Sequence, residues 1–364
     1  MTNYLATRNG LLGTDFSSKL SGYLAQGCIT ARQVHKSLSD FEDGTNDTWK
    51  GVEEYGKGEN QGTSHMRFEL LWRDYMRLCA RKFGAKLFRL EGFKAGDHVE
   101  GRWAHPSRPR EGESAQDVKE MLERLLNGTT GMGLIDASLR EVFLTGYTSN
   151  RARQNVASFL AKHLYLDWRL GAEWYECLLV DYDLSSNWGN WQYVAGVGND
   201  PRGQARIFNP VKQAFDYDPQ AEYVKAWVPE TRGLREAGEV FQAWTCRDEA
   251  VRQENGLSGL EWVERPLKKI EFTIGRRGHV GGRRGNVGGG RPRGGMGPRS
   301  MSGGQHNPNW GMNPRYGGRR YGSSRGHLRG RYGRGRGEGG GSEARTETMD
   351  KDRAAGPQQE GEQS

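Results

Sequence analysis

Between Thr145 and Asp200 the chain reads TGYTSNRARQNVASFLAKHLYLDWRLGAEWYECLLVDYDLSSNWGNWQYVAGVGND, and this stretch narrows the available folds more than any other. Thr148, Ser149 or Asn150 can cap a helix whose Val156, Phe159, Leu160, His163 and Leu164 then face inward at i, i+3, i+4 spacing. Arg151 and Arg153 fall in its first turn, against the helix dipole. Their guanidinium groups therefore call for an anion, either a carboxylate of the chain or something bound. Asp181 and Asp183 flank Tyr182, and Asn187 follows in a segment that also carries Trp168, Trp174, Trp188 and Trp191. By residue type alone two descriptions stand: a Trp-rich helical core with an Arg–Asp pair at its edge, or a polar pocket rimmed by indoles.

The rest of the first 250 residues is helical in pattern. TRNGLLGTDFSSKLSGYLAQGC reads as a turn-rich loop entering a helix, with Ser17, Ser18, Lys19 and Ser21 offering hydroxyls, backbone donors and an ammonium, the groups a phosphate needs. The same cluster also reads as an ordinary capped helix. Thr30 opens a helix with Val34, Leu38 and Phe41 on one side, and Asp43 to Gly62 is a polar loop. From Met66, MRFELLWRDYMRLCARKF predicts a helix with Phe68, Leu71, Trp72, Tyr75, Cys79 and Phe83 as its apolar face. Glu69, Trp72 and Arg73 share one flank at i, i+3 and i+4, which alone fits an internal salt bridge beside a core tryptophan. Residues 93 to 113 carry no assignable pattern. Ser114 caps a helix ended by Gly128, with Val118, Met121, Leu122, Leu125 and Leu126. Further helices are expected over Leu134 to Leu144, after Asp218-Pro219 with Tyr223 and Trp227, and over Ala237 to Trp244. Strand-like alternation is nearly absent, so residues 1–272 predict an all-α domain.

Charge divides the chain. Gly275 to Gly340 holds 24 Gly and 15 Arg against one acid, Glu338, a net charge of +14, whereas residues 1–274 stand at −3 and residues 341–364 at −3. The 273–340 segment cannot bury enough apolar surface to offset its ordering entropy, and both it and the acidic, polar 341–364 segment are expected to be disordered. Its Arg-Gly repeats, interleaved with Trp310, Tyr316, Tyr321 and Tyr332, combine phosphate neutralisation with base stacking and point to single-stranded RNA or DNA. Cys28, Cys79, Cys177 and Cys246 show no paired spacing and no histidine at metal-ligand distance, so neither a zinc site nor a disulfide framework is expected. No apolar run approaches a membrane span and no secretory signal opens the chain, so a monomeric protein inside the cell, in nucleus or cytoplasm, is expected.

In order, the motifs SNRARQ, ASFL, DWR, DYDLSSNWGNW and RIFNPVKQAFDYDP (Arg206 to Pro219) resemble the flavin-binding domain of the photolyase/cryptochrome superfamily, most of all the cryptochrome DASH branch in its fungal form, over roughly residues 4 to 250. The resemblance implies FAD as cofactor. Ser17, Ser18, Lys19, Leu20 and Ser21 match a TSRLS-like segment on the pyrophosphate, and Tyr4 matches the preceding tyrosine after a one-residue gap. It also implies that Asp181 pairs with Arg153 beside the isoalloxazine, that Asp183 takes the N3–H and ribose side, and that Asn187 faces N5. Asn there is the choice of photolyases and DASH proteins. Arg73 is similar to a flavin-side arginine, and Met66 stands where many relatives have tryptophan.

On the substrate side the resemblance makes Glu69 the carboxylate that hydrogen-bonds and protonates a cyclobutane pyrimidine dimer, and Trp72 the indole on which the pyrimidines stack. Asn150 and Arg151 match residues touching the lesion and its phosphate. Gln154 and Tyr193 replace the methionine and tryptophan of duplex-repairing relatives, a DASH-like pattern that implies single-stranded DNA as the substrate. No histidine pair lies in TSNRARQ, against (6-4) photoproduct repair. Trp191 and Trp168 match the proximal and middle members of a tryptophan chain whose distal register falls on Ala115, with Trp103 as a substitute through a loop. Relatives begin with an α/β antenna domain that this sequence lacks, so the antenna folate, methenyltetrahydrofolate, is expected to have an incomplete site. A natural short form, a fragment and a misplaced start all fit that absence. The implied activity is blue-light dimer repair; a non-repairing photoreceptor or RNA-binding protein that uses FAD as a sensor is the alternative, and an inactive truncation a third.

Overall fold

Side chains that satisfy the first free backbone N–H groups open helix after helix in this chain. The computed structural model describes residues 3–94, 99–200 and 207–271, all within one unit, Met1–Val280. The segments 273–340 and 341–364, with Trp310, Tyr316, Tyr321 and Tyr332, lie outside the described residues, as does Arg206.

In chain order the helices are α1 (Tyr4–Thr7), α2 (Ser21–Ala25), α3 (Ala31–Asp43), α4 (Gln61–Phe83), α5 (Ala115–Leu126), α6 (Gly133–Thr145) and α7 (Asn150–Ser158). Then come α8 (Trp168–Leu178), α9 (Leu184–Ala195), α10 (Pro210–Tyr217), α11 (Glu222–Trp227), α12 (Ala237–Phe241), α13 (Glu249–Glu254) and α14 (Glu261–Glu264). Thr30 and Ser114 close capping boxes with Gln33 and Asp117, and Ser149 caps α7 by accepting from the Ala152 N–H. Among the described residues the only extended pairings are isolated bridges, Ala104 with Leu166 and His105 with Arg108, so the all-α expectation holds. No helix there is long and apolar enough to cross a membrane. The four cysteines are free, with Cys79 and Cys246 buried.

One core gathers α6, α11, α12 and α14 around Leu134, Ala137, Tyr223, Val224, Val240, Phe241 and Trp262. A smaller one joins Val34 and Leu38 of α3 to Met66 and Leu70 of α4. That second core corrects the expected face of α4. Leu71 is 66% and Tyr75 42% exposed, whereas Met66, Leu70 and Met76, outside the expected face, are buried along with the expected Cys79. The cause is tertiary: α3 covers Met66 and Leu70, while α9 packs on the Met76 side, where Gly189 is so close that an added Cβ would lie 2.9 Å from the Met76 sulfur.

Three other expectations shift. The helix from Asn150 does not run on as α through His163; it widens into one π-type turn, Phe159–His163, and His163 meets the Phe208 carbonyl at 2.8 Å. Ala237 to Trp244 divides into α12 and a short 3-10 turn, Ala243–Thr245. The unassigned region 93–113 carries Trp103, which is 2% exposed and donates its indole N–H to the Ala161 carbonyl at 2.7 Å.

Candidate functional site

Arg153, on the first turn of α7, finds the anion its position demands. It donates to Asp181, between α8 and α9, at 2.9 Å, and to the Thr148 carbonyl at 2.9 Å. Burial works against the guanidinium charge, but the adjacent Asp181 outweighs it and holds the Arg153 pKa above its ordinary value. The second oxygen of Asp181, Oδ1, is buried without a partner. An orphaned carboxylate oxygen at a cavity wall marks a place for a donor that the chain itself does not supply.

Asp183 caps α9, accepting from the Ser186 N–H at 2.9 Å, and receives the Arg77 guanidinium at 2.9 Å. Its burial pushes the carboxyl pKa up, yet these two donors outweigh that and leave it below the ordinary carboxylate range. Facing this wall is the loop from Phe16 to Ser21. Lys19 sits at φ 54, a left-handed backbone that non-glycine residues adopt at a cost. Its ammonium lies 3.7 Å over the Phe16 ring and 4.3 Å over the Tyr147 ring, and donates to the Tyr147 hydroxyl at 3.2 Å.

Two cavities, about 220 Å³ and 250 Å³, lie between loop and wall and share Tyr4, Ser18, Leu20, Ser21, Glu69, Arg153 and Asp181. The first adds Arg8, Ser17, Lys19, Tyr147 and Asn150; the second adds Met66, Trp72, Arg73, Asp183 and Ser186. Arg73 is anchored by donating to the Leu24 carbonyl at 3.0 Å, and burial lowers its pKa. A dinucleotide matches this donor set: hydroxyls, loop N–H groups and an ammonium at one end suit a pyrophosphate, and carboxylates at the other suit the N–H edge of a heteroaromatic ring.

Glu69 is common to both cavities. Its Oε1 meets the nearly buried Arg8 at 2.5 Å and His65 at 3.2 Å, while the side chain stays 31% exposed. Burial first, and Glu69 next, push the Tyr4 phenol up to about 12, so it stays a neutral donor. Arg8, His65, Tyr147 and Arg77 are functional neighbours that the sequence motifs do not mark. His65 at i, i+4 from Glu69 was open to that reading; the others arrive from remote segments.

Several of the expected site residues stand outside the walls of these cavities. Asn187 donates its amide to the Ala172 carbonyl at 2.9 Å. Arg151 is 1% exposed and donates to Gln154 at 2.9 Å and to Asn9 at 2.8 Å, with the Tyr217 ring 4.5 Å away. Tyr193 meets Trp72 edge to face at 5.8 Å. The indoles do not rim the pocket as a set: Trp72 lines it, whereas Trp168, Trp188 and Trp191 are buried in and between α8 and α9, and both starting descriptions hold in part.

The family described as FAD binding domain of DNA photolyase matches residues 66–265. A Neurospora crassa protein whose name pairs cryptochrome DASH with the mitochondrion is 60% identical over 285 residues, 75% of this chain and 38% of its own length. The crystal structure of a Synechocystis cryptochrome superposes with a TM-score of 0.59 at 38% identity, covering 72% of this chain and 50% of that one. A class III photolyase from Agrobacterium tumefaciens superposes equally well, TM-score 0.59, at 26% identity over 74% of this chain and 49% of that one. The chain thus spans half or less of the length of these relatives.

Proposed function

The chain belongs to the photolyase/cryptochrome superfamily, as a DASH-type cryptochrome carrying the photolyase FAD-binding domain, and from that premise we propose that it repairs cyclobutane pyrimidine dimers in single-stranded DNA under blue light. The observation that carries the reading is the cavity pair. Its shared wall brings Ser18 and Ser21 opposite Arg153 and Asp181, and the same space reaches Glu69 and Trp72.

In this reading Ser17 to Ser21 hold the pyrophosphate, with Lys19 neutralising it and Tyr4 closing the near side. Arg153 and Asp181 would hold the ring, with the unpartnered Asp181 Oδ1 as an acceptor for it, and Asp183 and Arg73 would line the rest. Asn187 lines neither cavity and its amide nitrogen is committed to the Ala172 carbonyl, so this reading assigns it no contact with the ring. When bound, FAD supplies a photoexcited electron donor, which side chains in the dark cannot. Glu69, 31% exposed, would hold the lesion and relay to it a proton taken from solvent, with Arg8 and His65 beside its carboxylate, and Trp72 would offer a stacking face. Asn150, exposed at the head of α7, contacts the lesion strand, whereas Arg151, Gln154 and Tyr193 are buried and act on it only indirectly. A base already unstacked in a single strand avoids an extrusion cost of a few kcal/mol. The 273–340 segment recruits single strands through its arginines.

The test is a dark-purified protein examined for flavin absorption, then illuminated with a reductant and dimer-bearing single strands. Glu69→Gln is expected to keep the yellow colour and lose repair. Flavin binding with no restoration of intact pyrimidines by the wild type would transfer the proposal to a light sensor.

A further inference from the structure

Glu141 stands one layer behind the first cavity. It lies on α6, lines neither of the two cavities and is 8% exposed. A carboxylate so far from water needs partners. The Tyr223 hydroxyl of α11 donates to its Oε2 at 2.7 Å, so the donor is a neutral phenol rather than a guanidinium. Tyr223 is itself fully buried, and burial first and Glu141 next push its phenol far up, so it keeps its proton.

The charges that act on Glu141 belong to the cavity. Burial pushes its carboxyl up, and the Tyr223 and Thr148 hydroxyls, Lys19 and Arg153 pull it down without cancelling that rise. Thr148, Lys19 and Arg153 all line the first cavity. From α8 the buried Tyr175 phenol faces Glu141 and Arg153, and burial keeps it protonated. Among the residues lining that cavity, Arg8, Lys19 and Arg153 stand against the carboxylates of Glu69 and Asp181, and Glu141 behind them brings the two signs level. A diphosphate is a dianion, and its entry leaves this balanced cluster with an excess of negative charge. Asp181 and Glu69 each hold a guanidinium, at 2.9 Å and 2.5 Å, whereas Glu141 depends on cations that the phosphates would draw to themselves.

We propose that Glu141 is a positioning residue of the diphosphate site, acting through Lys19 and Arg153, and that it takes up a proton when the cofactor binds. The proposal rests on the flavin reading above, since the dianion is the cofactor's diphosphate. The proton comes from solvent and goes to a Glu141 carboxylate oxygen, and no other bond forms or breaks. A bound dianion screens Lys19 and Arg153 from Glu141, so the carboxyl keeps its proton to higher pH in the loaded protein than in the empty one. Affinity is then highest on the acid side. It falls as pH rises from the empty-state value to the loaded-state value, by at most about tenfold per pH unit for a single proton.

Titration calorimetry of FAD into the flavin-free full chain, in buffers of different ionisation enthalpy between about pH 5 and about pH 8, counts the protons. The wild type is expected to take up a fraction of a proton and to lose roughly threefold to tenfold in FAD affinity across that range. Glu141→Gln, whose amide oxygen can still accept from Tyr223, should take up none and should bind FAD more tightly than wild type at the alkaline end, a gain that a merely structural defect would not produce. Tyr223→Phe removes the donor that favours the charged carboxylate and should move the pH window upward. Histidine ordinarily titrates in this range, so His65, beside Glu69 and Tyr4, is the control. Uptake that survives in Glu141→Gln or vanishes in His65→Gln, a window unmoved by Tyr223→Phe, or wild-type binding with no uptake would overturn the role of Glu141 alone. A chain that binds no FAD at any pH would overturn the flavin reading and the proposal with it.

Discussion

The two walls of the cavity are built by opposite means. On the α7–α9 side the charged groups that line the cavities arrive already paired: Arg153 with Asp181, Asp183 with Arg77 and the Ser186 N–H. On the loop side, Phe16 to Leu20 are half-buried, and Lys19 keeps a left-handed backbone with its ammonium over two aromatic rings. A wall whose charges neutralise one another stands without ligand. A wall of hydroxyls and a strained lysine gains most of its partners when an anion enters. Damage to the first should therefore appear as lost stability, and damage to the second as lost affinity.

The largest effect is expected at Asp181. Asp181→Ala leaves Arg153 uncompensated in the interior and should cost about 3 kcal/mol in the thermal unfolding of the ligand-free protein. A melting curve identical to wild type would mean that this wall is not pre-paired. Gly171→Ala comes next: its Cβ would collide with Trp191, a backbone-borne clash that should destabilise by about 2 kcal/mol in chemical denaturation. Lys19→Gly inverts the pattern. Relief of the left-handed strain should leave ligand-free stability within about 1 kcal/mol of wild type. FAD affinity, read by titration of flavin fluorescence, should fall by roughly tenfold or more, as for the loss of one hydrogen bond to a charged group. An affinity unchanged by this substitution would remove the loop from the phosphate role.

The smallest effect concerns acid. Because the folded Asp183 pKa lies below its ordinary value, its pairing stabilises the fold above about pH 4 and that contribution is lost as pH falls through the folded value. Arg77 is half exposed, so its share should be under about 1 kcal/mol. Arg77→Gln should flatten the decline of melting temperature between about pH 5 and pH 3, and an unchanged slope would assign the acid sensitivity elsewhere.

Local rules were readable in the chain. Thr30, Ser114 and Ser149 cap the helices their positions announce, since a cap needs only a side-chain oxygen two or three residues before a free N–H. The charge argument for Arg153 was readable too, because a cation at a helix start must find an anion. For Arg151 the structure shows Gln154, Asn9 and the Tyr217 ring as neighbours, and two of these come from remote parts of the chain, where local spacing carries no information. The face of α4 was misjudged because apolar letters at helical spacing name a stripe but not the neighbour that covers it, and here two neighbours cover different sides.

By itself, then, the sequence determined the helical class, the caps, the nearly charge-balanced folded part against its basic tail, and the motif order that resembles a flavin domain, because each follows from contacts within a few residues or from composition. Only the tertiary structure decided that Arg8 and His65 converge on Glu69, that Asp181 keeps one oxygen unpartnered, and that Trp188 rather than Trp174 stands next to Trp168. Those facts depend on helices distant in the chain meeting at particular angles, and packing, which is cooperative over the whole core, sets those angles where local spacing cannot.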